Sequence, residues 1–340
     1  MKRLCLALCS FLLATGCVRK PALHVYNWTD YMNPDLIAQF EAEFDCKVVR
    51  DFYDSNEAMF AKIKAGGGGY DVIFPSGYMI SIMRQQGMLQ TLDLSLIPNL
   101  KHIDPLLRSL ISDSAMTYSV PYMAGSTGIG YLTSRIPDFE PTWNMFDRAA
   151  LKGRMTLLND MRETIGAALK SLGYSYNSVD EKELEQARDV VIRWKRNIAK
   201  FESDQYKNGL VSAEFVMTHG FSGDVLQVIA ENEGIAFVVP QEGTSIAIDE
   251  MVIPATATQV KLAHAFINFM HRPEVAAANI EYVHYRCPNV AAYALLPPAV
   301  RNDPTIFLPD AVLQRCEVIK DLGEDNARFA KIWDEIKASE

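Results

Sequence analysis

Leu23-His24-Val25-Tyr26-Asn27-Trp28-Thr29-Asp30-Tyr31 is the stretch on which the reading of this chain turns. Leu23, Val25 and Asn27 alternate with His24, Tyr26 and Trp28, a short strand-forming run of period two. Asn33-Pro34 then supplies an N-cap and a first-turn proline, so a helix begins a few residues after the strand ends. Trp28 to Tyr31 therefore occupy the carboxyl end of a strand, the edge where open α/β sheets bind ligands. Two aromatic faces with the Asp30 carboxylate between them suit an organic cation. The same residues would serve equally well to close the edge of a core.

The pattern repeats downstream. Leu36, Ile37, Phe40 and Phe44 share one face of a helix running to about Cys46. Lys47–Tyr53 reads as a second strand. Asp54-Ser55-Asn56-Glu57 reads as a capping box for a helix with Met59, Phe60 and Ile63 inward. The glycines at 66–69 end that helix. No Gly-Lys-Ser/Thr follows them, and a strand comes next, so they form a loop and not a phosphate cradle. Tyr70–Phe74 is a buried strand that ends in Pro75-Ser76-Gly77-Tyr78. Strand–helix–strand–helix–strand predicts an α/β fold built on a doubly wound, mainly parallel sheet.

Residues 79–118 read as broken helix. Strands at Thr117–Met123 and Gly128–Leu132 flank Ala124-Gly125-Ser126-Thr127, a small-residue crossing between domains. A second α/β pattern follows: a short helix at Trp143–Ala149, a strand at Arg154–Leu158, and a helix opened by Asn159-Asp160-Met161-Arg162-Glu163 and running to about Leu172. Asp160 and Glu163 are three apart and share a face, where they can hold a ligand or simply complement the helix dipole. Ser178-Val179-Asp180-Glu181 caps a long helix to about Ala199. Phe201–Asp204 is extended, and Val211–Thr218 contains a strand. His219-Gly220-Phe221-Ser222-Gly223 leads into a helix near 225–230, and Ile235–Val239 is another strand. Ser245–Ile253 crosses back with Asp249 near its middle, an acid that is costly to bury without a partner. Helices at about 257–270, 273–282 and 326–337 complete the pattern. The lobes expected from it are 22–124 with 249–295, and 125–248 with 296–340.

Formal charge is −9. That excludes a nucleic-acid binder resting on basic surface and would steer a cation inward, although an acidic surface also serves solubility alone. Met1-Lys2-Arg3 and the apolar run Leu4–Ala14 form a signal peptide too short to span a bilayer comfortably. Leu13-Ala14-Thr15-Gly16-Cys17 resembles a relaxed bacterial lipobox. That resemblance implies cleavage before Cys17, acylation of Cys17, and 17–21 as a tether. Loss of Lys2 and Arg3 would leave 31 basic against 42 acidic residues, a charge of −11. Cys46, Cys287 and Cys316 then remain, an odd and widely spaced set that indicates neither a zinc site nor a disulfide framework.

Tyr26-Asn27-Trp28-Thr29-Asp30-Tyr31 resembles the N-terminal signature of the spermidine/putrescine-binding proteins of bacterial ABC-type polyamine importers. Tyr53-Asp54-Ser55-Asn56-Glu57, Tyr70-Asp71-Val72, Pro75-Ser76-Gly77-Tyr78 and Val120-Pro121-Tyr122 continue the likeness. So do Asp160-x-Arg162-Glu163, Ile267-Asn268-Phe269-Met270-x-Arg272-Pro273 and Pro288-Asn289-Val290-Ala291-Ala292, in collinear order over nearly the whole mature chain. The resemblance implies a two-lobed periplasmic binding protein fold of type II, each lobe a mixed, mainly parallel sheet flanked by helices, closing over ligand in the cleft. It implies that Trp28, Tyr31, Ser76, Tyr78 and Tyr285 line one wall and Asp160, Glu163 and Ser203 the other. Asp249 would hold an amine near the crossing, and Thr29 and Asp30 would border the site. Polyamine amines are cationic at neutral pH, with pKa near that of lysine, about 10.4. Acids would fix their number and spacing, and aromatic rings would cover the methylenes between them.

The chain departs from that family at Ala247, where the polyamine binders carry a tryptophan. It departs again within Thr218-His219-Gly220-Phe221, where a second tryptophan gives way to Thr218, His219 or a shifted Phe221. Their glutamine near the C-terminal helix falls at about Ile319. The sequence has no Gly-x-Ser-x-Gly elbow, no His-Glu-x-x-His and no Walker motif, so catalysis is not expected. Neither a cofactor nor a resident metal is implied. A ferric-ion carrier, in which Tyr31, Tyr78 and Tyr285 would act as ligands, and a polyamine sensor are the rival readings. The partners implied are a polyamine, an ABC-type permease, and a membrane reached through lipid on Cys17, with the protein itself a periplasmic monomer.

Overall fold

The computed structural model describes residues 20–339; the signal peptide and Cys17 lie outside them. The opening strand forms as expected: β1 (Ala22–Trp28) buries Leu23 and Val25 and leads to α1 (Pro34–Glu43), whose N-cap Asn33 accepts from the Asp35 amide. Then come β2 (Lys47–Tyr53), α2 (Asn56–Lys64), β3 (Val72–Ile73) and α3 (Gly77–Gln85). The Ser55 hydroxyl caps α2. The expected strand at 70–74 is reduced to two paired residues. Just before them Asp71 turns its carboxylate to three backbone amides, those of His24, Thr258 and Gln259.

After α4 (Pro105–Leu110) the chain forms β4 (Ser119–Leu132). The two strands and intervening crossing expected here are one continuous strand of 14 residues. Gly125 and Ser126 do not interrupt it, because each half pairs with a different neighbour. The order continues β5 (Met155–Leu157), α5 (Met161–Ser171), α6 (Glu181–Lys195), β6 (Lys200–Phe201), α7 (Tyr206–Val211), β7 (Met217–Phe221), α8 (Ser222–Ile229) and β8 (Ile235–Val238). Helix α7 is too short to show a helical period in sequence, which is why its end read as the start of a strand. Then follow β9 (Ser245–Val252), α9 (Val260–Met270), α10 (Pro273–Val283), α11 (Val290–Tyr293), α12 (Pro298–Arg301), α13 (Asp310–Leu313), β10 (Glu317–Val318) and α14 (Asn326–Ala338).

The strands run in the order β2-β1-β3-β9-β4-β7-β5-β6, with β10 beside β9 and β8 beside β4. Residues 119–126 of β4 pair antiparallel with β9, and residues 127–132 pair antiparallel with β7 and β8. Parallel pairs β1–β2, β1–β3, β5–β6 and β5–β7 flank this seam. Two large apolar cores follow, beside a smaller cluster around Tyr26, Met59 and Met83. One is built on Val25, Phe40, Phe74, Phe266 and Ile280, the other on Trp143, Ile165, Trp194, Val225 and Phe329. Leu296 and Ile306, expected in the second lobe, pack in the first core. The chain returns to the second at Leu322 and along α14, through Phe329, Ile332 and Ile336. Cys46, Cys287 and Cys316 are free thiols.

The strands of these four parallel pairs point their carboxyl ends at the seam. Beyond these ends stand Trp28 (β1), Tyr53 (β2), Ser76 (β3), Asp160 (β5), Ser203 (β6) and Phe221 (β7). Behind Asp160, α5 is held tightly: a Cβ on Gly166 would lie 1.9 Å from the fully buried ring of Tyr176. Overpacking of this kind costs about 1–3 kcal/mol. Gly166→Ala is therefore expected to lower the urea-unfolding free energy by that amount; an unchanged midpoint would contradict this packing.

Candidate ligand-binding cleft

A cavity of about 750 Å³ lies where those strand ends meet. The floor is Asp249, in the middle of β9 opposite Met123 of β4. The partner its burial demands is a pair of hydroxyls: Ser76 Oγ donates to one carboxylate oxygen (2.6 Å) and Tyr31 Oη to the other (2.9 Å). Asn56 fixes Ser76, donating to its Oγ and accepting from its amide, both at 3.1 Å. Burial raises the Asp249 pKa to about 6, against the pull of these two hydroxyls. No cationic side chain among the described residues offsets this carboxylate.

Aromatic rings surround it. Trp28 donates its indole N–H to the Phe74 carbonyl at 2.8 Å, and the Tyr53 hydroxyl donates to the same oxygen at 2.6 Å. The two rings lie 4.5 Å apart, centroid to centroid. Tyr31 meets Tyr285 edge to face at 4.9 Å. The Tyr285 ring lies flat between two glycines: a Cβ on Gly125 would stand 2.5 Å from it and one on Gly223 2.1 Å. This explains the small residues at the β4 crossing and at the start of α8.

The opposite wall belongs to the second core. Asp160 is the N-cap of α5 and accepts from the Glu163 amide at 2.9 Å. The Glu163 carboxylate is buried and accepts from Ser245 Oγ (2.7 Å) and Thr127 Oγ1 (3.0 Å). Burial, then the neighbouring Asp160 charge, pushes its carboxyl up to about 8. Arg162 lies behind both acids, donating to the Lys320 carbonyl and to Asn177. The cavity thus presents a hydroxyl-held acid on each wall, Asp249 and Glu163, with flat rings grouped around Asp249. Such a surface fits a slender molecule carrying separated positive charges and an apolar middle.

Ten of the expected residues line this cavity: Trp28, Thr29, Tyr31, Ser76, Tyr78, Asp160, Glu163, Ser203, Asp249 and Tyr285. Two do not. Asp30 takes a left-handed backbone conformation (φ 52°), which turns its carboxylate out of the aromatic box to accept from Lys207 at 3.0 Å. His219 is fully buried in β7 against Trp143, its ring nitrogens unbonded among the described residues, and burial lowers its pKa to about 3. Phe221, two residues further along the same strand face, reaches the cavity instead, as do Ala247 and Ile319.

Sequence reasoning missed Tyr53, Asn56, Ser126, Lys207 and Asp224, all of which line the cavity. Tyr53 and Asn56 follow the end of β2 and could have been found by extending to it the strand-end argument made for Trp28. The hydroxyls of Ser126 and Ser203 have no partner among the described residues and can accept or donate toward a ligand. Asp224 carried no signal. It sits in the first turn of α8, takes the Tyr206 hydroxyl at 2.8 Å and the Tyr285 hydroxyl at 3.1 Å, and its pKa is raised by burial.

The chain belongs to the bacterial extracellular solute-binding proteins, whose family model matches residues 35–308. Within that class it is similar to the spermidine/putrescine-binding periplasmic protein of Salmonella typhimurium, at 35% identity over 93% of this chain and 91% of the relative. A solved structure from Listeria monocytogenes superposes with a TM-score of 0.89 at 38% identity, covering 94% of this chain and 99% of that one. The TpPotD lipoprotein of Treponema pallidum superposes at 0.84 with 37% identity, covering 93% and 99%. The expected two-lobed fold is the fold found.

The raised acids make stability depend on pH. Glu163 is joined by Glu250, which is fully buried, accepts from Ser119 Oγ at 2.6 Å, and is pushed by burial up to about 8. Both carboxyls stay protonated in the folded chain up to about pH 8 but ionise near pH 4.3 when unfolded, so the folded state binds more protons and stability falls as pH rises across that window. His219 and His271, lowered by burial to about 3 and about 4, act in the opposite sense. They do so only below the ordinary histidine pKa of about 6.5, where the unfolded chain takes up their protons. Urea unfolding of the ligand-free protein is expected to show stability lower at pH 8 than at pH 6.5 by on the order of 2 kcal/mol. A rise over that interval would refute the assignment.

Proposed function

We propose that this protein is the substrate-capturing component of an ABC-type importer and that its ligand is a polyamine enclosed in the interlobe cleft. The observation that carries this reading is the pair of buried acids, Asp249 and Glu163, each hydrogen-bonded by hydroxyls and neither in an ion pair with a described side chain. A diprotonated amine supplies the missing charges, and Trp28, Tyr31, Tyr53 and Tyr285 cover its methylenes. In this reading Ser126 and Ser203 bind through their free hydroxyls. The relatives named for spermidine and putrescine binding support the ligand class. The protein acts by binding and release, not by catalysis.

In the same proposal the first lobe comprises residues 22–126 with 245–318, and the second 127–244 with 319–339. This assigns all of β9 and the 296–318 segment to the first lobe, in keeping with the two cores. The protein works as a monomer in the periplasm, held to a membrane by lipid on Cys17. The lipobox-like run before Cys17 and the similarity to a treponemal lipoprotein support the anchor. Among the described residues no helix is long and apolar enough to cross a membrane.

Titration of the delipidated protein with putrescine, cadaverine and spermidine, followed by tryptophan fluorescence with Trp28 as reporter, is expected to give saturable binding. Truncating one partner of a buried charge pair costs about 2–5 kcal/mol, so Asp249→Asn and Glu163→Gln should each weaken binding roughly 30-fold or more. Unaltered affinity in both variants, or a response to ferric ion alone, would overturn the reading. A cation beside Glu163 favours its ionised form, so binding at pH 7 should release protons and tighten from pH 6 to pH 8. Calorimetry in buffers of differing ionisation enthalpy measures that release directly.

A further inference from the structure

The cleft already contains an ammonium group of its own. Lys207, on α7 of the second lobe, lines the cavity although its side chain is only 10% exposed. Its Nζ donates to Asp30 on the opposite lobe at 3.0 Å and to the Gln227 side-chain carbonyl at 3.2 Å. Asp224, one helical turn before Gln227, lies within the field of that ammonium. Asp224 also takes the hydroxyl of Tyr285, the ring that abuts Tyr31, and Tyr31 in turn holds Asp249. Among the acids that line the cleft, three places bear on this ammonium: Asp249, the Asp160/Glu163 pair, and Asp224, whose corner Lys207 shares with Asp30 at the cavity's edge. At the first two no lysine or arginine makes an ion pair with the acids among the described residues. At the third a lysine does.

We propose that Lys207 is a resident cation that fills the Asp30/Asp224 corner, bars a ligand ammonium from it, and so makes this cleft selective for diamines over triamines. The inference rests on the polyamine reading above and deepens it. The Asp30 geometry supports it independently. Asp30 adopts a left-handed backbone that disfavours most side chains, and in that conformation its carboxylate reaches across the cleft to Lys207 and not toward the Trp28–Tyr31 box. A third ligand ammonium arriving there would meet Lys207 at close range in a partly dehydrated setting, where like charges repel strongly. A diamine has no third ammonium to place in that corner.

The test compares putrescine, cadaverine and spermidine by calorimetry on the full mature chain and on three variants. The unmodified protein should bind a diamine at least tenfold more tightly than spermidine. Lys207→Met and Lys207→Gln should each shift the spermidine-to-putrescine affinity ratio at least tenfold toward spermidine, since the third ammonium can then pair with Asp224 and Asp30. Asp30→Asn keeps the lysine but removes its counter-charge, and should weaken spermidine more than putrescine. These variants separate charge from a simple mechanical latch between the lobes, because loss of a latch would move all three in one direction. A ratio unchanged in both Lys207 variants, with melting temperatures showing them folded, overturns the inference. So does an Asp30→Asn shift toward spermidine. No binding of any of the three amines by the unmodified protein overturns the polyamine reading itself, which keeps the two failures distinct.

Discussion

The structure depends on one buried carboxylate. Asp249 stands in the middle of a central strand, next to β4, which pairs with strands on both sides of the seam, and its two oxygens are held by Ser76 and Tyr31. A buried ionised acid with hydrogen bonds but no counter-charge is costly. Burial accordingly lifts its pKa to about 6. The residues around it support its two hydrogen bonds: Asn56 holds Ser76, the Tyr122 hydroxyl donates to the Tyr31 carbonyl, and Tyr285 braces Tyr31 from the side.

Topology then brings the second set of acids to the same place. Strand β4 pairs with β9 through its first half and with β7 and β8 through its second, so a single strand ties two sheets together at the cleft. Parallel strands on both sides direct their carboxyl ends at this seam, the location that open α/β sheets reserve for ligands. Asp160 gains its position as the N-cap of α5, and Glu163 one turn later reaches Ser245 at the start of β9 and Thr127 in β4. The two halves are thus coupled at the cleft itself: the Glu163 carboxylate is held by hydroxyls from β4 and β9, the strands at the seam.

Charge is distributed along the cleft unevenly, and that unevenness is where its chemistry lies. Arg162 is buried behind Asp160 and Glu163 and is bound to carbonyl and amide oxygens, which softens their field without neutralising either by direct contact. Lys207 neutralises Asp30 directly across the gap. Flat rings line the cleft beside Asp249, and apolar walls strengthen the electrostatic contacts of a buried charge.

The amino-acid sequence by itself determined the local pieces and their order. Alternation at 23–28, the Asn33-Pro34 cap, the hydroxyl of Ser55 and the Asp160 cap each act within a few residues, so they are readable without a fold, and the strand-end placement of Trp28, Tyr31 and Ser76 followed from them. What only the tertiary structure decided concerns partners distant in sequence. The unbroken course of β4 comes from its two sets of neighbours, and Leu296 and Ile306 join the first core through a cluster gathered from segments far apart in sequence. His219 was drawn into the interior because its strand begins deeper than its polar side chain suggested, and Phe221 took the cleft position two residues later. Asp30 and Lys207 lie 177 positions apart, so no local pattern could show that the acid beside the aromatic signature is already matched by a lysine from the other lobe.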